Sequence, residues 1–150
     1  MKNIKVFSRD ALEKYIKYFG FSEPTIVISI SCPSDLVPRY LLYDINNMVD
    51  KIFVKFDDVE CDFGSYVSMS DEDAKNIVDF VFKHNDVNNI VVHCDAGISR
   101  SAGVAAALSK IFNNDDMEYF DPESIYSPNM CCYNEILNYW ADNYMGKNNE

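Results

Sequence analysis

The chain has 150 residues, 48% hydrophobic and 25% charged, enough for one domain of ordinary size and too few for two well-cored ones. That balance is near the globular average and disfavours disordered or fibrous chains. Thirteen Lys and Arg against 24 Asp and Glu give a net charge of −11, which argues against general nucleic-acid binding and docking on anionic lipid, since both need a basic footprint.

In chain order, the apolar stretch Ile4 to Phe7 reads as a strand, with Ser8 as N-cap of a helix that carries Leu12, Tyr15, Ile16 and Phe19 and stops at Gly20. Thr25 to Ser31 is rich in β-branched residues and halts at Cys32-Pro33, the pattern of a buried strand. Pro33 to Val49 is irregular. A third strand is expected at Ile52 to Phe56, ending abruptly at Asp57-Asp58. Ser70 followed by Asp71, Glu72 and Asp73 opens a helix with acids where the macrodipole favours them, and Ile77, Val78, Val81 and Phe82 form its apolar stripe. Asn85 to Asn89 closes that helix, and Ile90 to His93 is a strand without polar alternation, as expected when both faces are covered. A helix follows from Arg100 through Ile111, and a last one is expected from Ser127-Pro128, with Tyr133, Ile136, Leu137, Trp140 and Tyr144 at helical spacing. Gly146 to Glu150 reads as a frayed tail. The expected architecture is a single α/β domain with a largely parallel, mixed sheet of four to five strands, and in such folds function sits at the carboxyl ends of strands.

Five cysteines, Cys32, Cys61, Cys94, Cys131 and Cys132, are odd in number and lack Cys-x-x-Cys spacing, so neither a disulfide framework nor a zinc ribbon is indicated. Met1 to Lys5 carries no signal-peptide apolar core, no run approaches a membrane span, and there is no Asn-x-Ser/Thr sequon. The expected compartment is a reducing cytoplasm.

The chemistry concentrates in His93-Cys94-Asp95-Ala96-Gly97-Ile98-Ser99-Arg100-Ser101. Read physically, this is a strand end, a tight loop and a helix start, with a thiol at one end of the loop and a guanidinium at the other. Amides of Asp95, Ala96, Gly97, Ile98 and Ser99 turned inward make an anion nest at the positive end of the helix. Gly97 supplies backbone freedom, and Arg100 can clamp two oxygens of one phosphate with its planar fork. The same donors favour a Cys94 thiolate, a nucleophile aimed at phosphorus.

This segment resembles the signature of the Cys-based protein tyrosine and dual-specificity phosphatases, His-Cys-x-x-Gly-x-x-Arg-Ser/Thr, at every specified position. Five specified positions arise by chance in such a chain with a probability on the order of 10⁻⁵ to 10⁻⁴. The bland alternative, a buried core thiol, leaves Gly97 and Arg100 unexplained. The resemblance implies a phosphocysteine intermediate, no cofactor or metal, and a general acid on a separate loop before the nucleophile. By position, Asp58 fits best, then Asp57, then Asp62. It further implies that the Ser101 hydroxyl helps the sulfur depart and that His93 steadies the thiolate. Pro128-Asn129 with Tyr133 and Leu137 resembles the start of the last helix in compact members, and is read here as a plain capped amphipathic helix.

None of Asp95, Ala96, Ile98 and Ser99 is basic. Phosphoinositide-directed members usually carry Lys or Arg at such positions, so the expected substrate is a phosphorylated protein, phosphotyrosine first and phosphoserine or phosphothreonine next. No nucleic-acid or membrane partner is expected, and oligomeric state is not legible. Rival readings are a non-catalytic phosphate-binding module and a phosphoinositide or RNA phosphatase. Sulfur transferases lack this Gly and Arg-Ser arrangement, and arsenate reductases place their loop near the N-terminus. Cys32, Cys61, Cys131 and Cys132 read as ordinary thiols, any of which would be a resolving partner if Cys94 were oxidised.

Overall fold

The computed structural model describes residues 1–146; of the expected tail only Gly146 falls among them, and 147–150 lie outside. Four strands form one sheet in the order β1 (Asn3–Ser8), β4 (Asn89–Cys94), β2 (Thr25–Ser31), β3 (Met48–Lys55). Every pairing is parallel, so the sheet is not mixed: each strand is reached by a crossover through a helix or a long loop, and none by a hairpin.

One face is covered by α2 (Asp71–Lys83), α3 (Arg100–Asn113) and α5 (Met130–Asn143), which bury the larger apolar core with Ile26, Ile28, Ile30 and Val92. Against the opposite face, α1 (Arg9–Tyr18) and the 3-10 turn Arg39–Leu42 enclose a smaller core of Leu12, Val27, Leu41 and Val91. All seven residues of β2 are buried, as its unbroken β-branched run requires of a strand covered on both faces.

Local chemistry accounts for the helix ends. The Ser8 hydroxyl accepts from Ala11 N–H at the start of α1, and Gly20, at φ +70°, ends it with its amide on the Tyr15 carbonyl. Ser70 and Asp73 make a reciprocal capping box on α2.

Two element starts differ from the sequence reading by more than one residue. β3 begins at Met48, not Ile52, because an edge strand accommodates Asp50 and Lys51 on its half-exposed surface. α5 begins at Met130, one turn into the expected segment: Asn129 is the N-cap, its Oδ1 accepting from Cys132 N–H at 3.1 Å, while Ser127 N–H donates to the Ile98 carbonyl instead. The 3-10 turn and the short α4 (Met117–Phe120) have no sequence signal of helical length. No helix among the described residues is long and apolar enough to cross a membrane.

The sheet order positions the site. β1 and β2 deliver the chain to the α1 face, whereas β4, lying between them, sends it into α3 on the opposite face. A crevice opens where neighbouring strands diverge in this way, and Cys94 is the last residue of β4.

Candidate active site

Residues 94–100 wrap tightly between β4 and α3. Gly97 has φ +71°, and a Cβ there would stand 2.7 Å from the Ser8 nitrogen; only glycine meets both the conformational and the spatial demand. The Asp95 carbonyl accepts from Arg9 N–H at 3.1 Å, that of Ile98 from Ser127 N–H at 2.9 Å, and that of Ser99 from both Gly103 and Asn129 N–H at 2.9 Å. In a trans peptide the amide of the next residue points opposite its carbonyl, so with these carbonyls engaged outward, the N–H groups of Ala96, Ser99 and Arg100 turn to the inside of the loop. The carbonyls of this segment are thus held by donors on α1, α3 and the approach to α5.

Cys94 is 2% exposed. Its sulfur accepts from Gly97 N–H at 3.3 Å and lies 3.0 Å from the Ser101 hydroxyl. Arg100, 5% exposed, donates through Nη1 to the Phe56 carbonyl at 3.0 Å and to Cys32 Sγ at 3.4 Å, and through Nη2 to Asp95 Oδ2 at 3.4 Å. Its Nε is buried without a hydrogen-bond partner among the described residues. A buried donor with no acceptor is costly, and here it belongs to the guanidinium of the residue that opens α3. Cys32, Asp35 and Asp95 bring metal-type ligand atoms within 4.8 Å of one another, and two of the three, Cys32 and Asp95, serve as acceptors for the Arg100 guanidinium. Burial pushes the Cys32 thiol above its ordinary range, with Arg100 opposing.

His93 is fully buried, and burial depresses its pKa to about 4. It is neutral at physiological pH and carries one ring proton. Nδ1 lies 3.3 Å from the Cys94 carbonyl and Nε2 2.6 Å from Ser29 Oγ. A carbonyl only accepts, so the proton sits on Nδ1 and the Ser29 hydroxyl donates to Nε2. His93 therefore anchors the backbone of Cys94.

The two leading acid candidates separate cleanly. Asp57 is committed to its own loop: its Oδ2 accepts from Val67 N–H at 2.9 Å while its own N–H donates to the Val67 carbonyl at 2.7 Å. Asp58 is exposed and reaches the segment between β4 and α3, with Oδ1 accepting from Ser99 Oγ at 2.7 Å and Asn129 Nδ2 at 3.0 Å. Asp62, the third candidate, accepts from Ser68 N–H at 2.9 Å and its hydroxyl at 3.0 Å, and those bonds hold its carboxyl below the ordinary range. Asp57 and Asp62 fasten the loop, and Asp58 projects from it.

Asn129 is the residue that sequence reasoning undervalued. Asn129 caps α5, and beyond that its Nδ2 reaches Asp58 and also the Val59 carbonyl, at 3.2 Å, contacts that a plain capped helix does not call for. The Pro-Asn pair before the last helix was the available signal. Cys32 and the Phe56 carbonyl, as partners of Arg100, carried none. Cys131 and Cys132 are raised by burial, consistent with structural thiols.

No protein-family model and no curated protein sequence matches this chain. Solved structures do. The Cydia pomonella PTP-2 phosphatase superposes with a TM-score of 0.61 at 17% identity, covering 92% of this chain and 86% of that one. Human DUSP28 gives 0.57 at 13% identity, covering 91% and 90%. PTPMT1 in complex with PI(5)P gives 0.51 at 14% identity, covering 93% and 91%. The chain has the fold of the compact tyrosine and dual-specificity phosphatases, and the signature loop from His93 to Ser101 lies at the end of its β4.

Proposed function

We propose that the protein hydrolyses phosphate monoesters on phosphorylated proteins, through a phosphocysteine intermediate on Cys94. One observation carries the reading: a buried sulfur, held by Gly97 N–H and Ser101, lies in a nest bordered by a guanidinium with an unpartnered Nε. A phosphate dianion supplies the acceptor that the Arg100 Nε lacks.

The thiolate attacks phosphorus in line while Arg100 and the inward amides hold the equatorial oxygens. Asp58, protonated, delivers its proton to the leaving phenolate or alkoxide, and the P–O bond breaks as the P–S bond forms. The Asp58 carboxylate then takes a proton from water, whose oxygen attacks phosphorus, and Ser101 stabilises the departing sulfur. No step calls for a metal or an organic cofactor.

PTPMT1 in complex with PI(5)P brings a phosphoinositide into consideration. Against it, the exposed loop positions are Asp95, Ala96 and Ile98, and the Asp95 carboxylate would repel a second phosphate. A non-catalytic phosphate-binding role is disfavoured because nucleophile, arginine and acid candidate are all present. Hydrolysis of 4-nitrophenyl phosphate in EDTA tests the proposal: Cys94→Ser should abolish turnover, and Asp58→Ala should lower kcat by about 10²-fold or more. Asp57→Ala should cost far less. Retained activity in Cys94→Ser, or abolition by EDTA, overturns the mechanism, and a peptide and PI(5)P panel then decides substrate class.

A further inference from the structure

Asp58, the proposed acid, is held on one oxygen by two donors from different elements, and that arrangement depends on a glycine outside the signature loop. Asn129 is 3% exposed, and all its side-chain polar atoms are committed. Oδ1 accepts from Cys132 N–H at 3.1 Å, while Nδ2 donates to Asp58 Oδ1 at 3.0 Å and to the Val59 carbonyl at 3.2 Å. The amide orientation follows from these contacts, since Cys132 N–H needs an acceptor and the other two partners need donors. Asn129 N–H and Gly103 N–H share the Ser99 carbonyl at 2.9 Å each, so the phosphate loop and the starts of α3 and α5 meet at one point. A Cβ on Gly103 would overlap the Asn129 carbonyl oxygen and press on the Cys132 Cβ at 3.0 Å. Gly103 thus sets how closely the start of α5 approaches the loop.

We propose that Asn129, seated by the close approach at Gly103, is a positioning residue that makes Oδ2 of Asp58 the oxygen that gives and later regains the proton. An amide N–H facing Oδ1, joined by the Ser99 hydroxyl at 2.7 Å, excludes a proton from that oxygen. The acid form therefore carries its proton on Oδ2. In the first step Oδ2 loses it to the leaving oxygen, and in the second the same atom takes one from the attacking water. Oδ1 stays fixed throughout. Ser99 belongs to the phosphate loop and Asn129 to α5, so the carboxyl is indexed to the nest and not merely to its own loop. This inference rests on Asp58 being the general acid.

The test is the dependence of kcat/KM on leaving group, comparing phenyl phosphate with 4-nitrophenyl phosphate. Phenol leaves poorly without a proton and 4-nitrophenol leaves well, so loss of acid catalysis raises the ratio of the second rate to the first. Asn129→Ser keeps an N-cap but cannot reach Asp58, and Gly103→Ala displaces the start of α5. Both should raise the ratio about tenfold, within the 10² to 10⁴ that a positioned acid supplies, whereas Asn129→Ser added to Asp58→Ala should raise it no further. The limb of the pH–rate profile due to the acid should weaken in Asn129→Ser. If Gly103→Ala does not fold, Asn129→Ser carries the test. An unchanged ratio in Asn129→Ser, beside a raised ratio in Asp58→Ala, overturns the positioning role alone. Full activity in Cys94→Ser overturns the proposed reaction and this inference with it.

Discussion

At the scale of single residues, burial has a legible consequence at His93. Its pKa in the folded chain is about 4, against about 6.5 when exposed. The unfolded chain therefore binds more protons between those values, and stability must fall as pH drops from about 6.5 toward 4. At pH 4.5 the contribution lost relative to pH 7 is about 2 to 3 kcal/mol. Urea midpoints at the two pH values should show this loss in the wild type and a flatter dependence in His93→Asn; parallel pH dependences would exclude a buried neutral imidazole. Gly97 makes a related point, since its φ of +71° and its approach to Ser8 come from the chain passing the end of β1, some ninety residues away in sequence.

Among the elements, residues 57–69 answer a question that spacing leaves open. Asp57 and Asp58 follow the same strand, and nothing in their order says which carboxyl reaches residues 94–100. The loop decides it: Asp57 closes on Val67, and Asp62 closes on Ser68. Together these bonds define a loop from which Asp58 projects. Replacing both with alanine should speed hydrogen exchange and proteolysis within 57–69 and lower kcat less than Asp58→Ala does; unaltered exchange there would remove their fastening role. The elements themselves follow simple rules. β2, α2 and the β4–α3 junction lie close to where β-branching, a capping box and a strand-loop-helix pattern put them. The 3-10 turn at Arg39–Leu42 was illegible because Leu41 is held by the second core and not by local propensity.

For the whole molecule, the charge of −11 surrounds a site proposed to bind a dianion. Attraction must then come from short contacts, the amides and Arg100, because the long-range field opposes it. Next to Arg100, which pairs with Asp95, Asp35 and Asp95 bring carboxylate oxygens within 4.8 Å of each other. Phosphopeptides with basic flanks should be turned over faster than those with acidic flanks, and the preference should shrink between about 0.05 and 0.5 M salt as screening shortens. Equal rates at low salt would deny the acidic surface any role in selection.

The amino-acid sequence by itself determined the fold class and the place of the loop between a strand and a helix, because both are written in short-range terms. Strand and helix periodicity, caps, and nine consecutive residues from His93 to Ser101 need no distant partner to be read. What only the tertiary structure decided is how those pieces are aimed. Cys32 and the Phe56 carbonyl hold Arg100, Ser29 sets the tautomer of His93, and Asn129, 71 residues from Asp58, reaches that carboxyl. Each is a contact between segments far apart in the chain, and side-chain direction across such gaps is set by packing: β4 lies between β1 and β2, and α5 sits close against Gly103. Even the odd cysteine count changes meaning there, since Cys94 is accounted for by the loop and Cys32 by the guanidinium beside it.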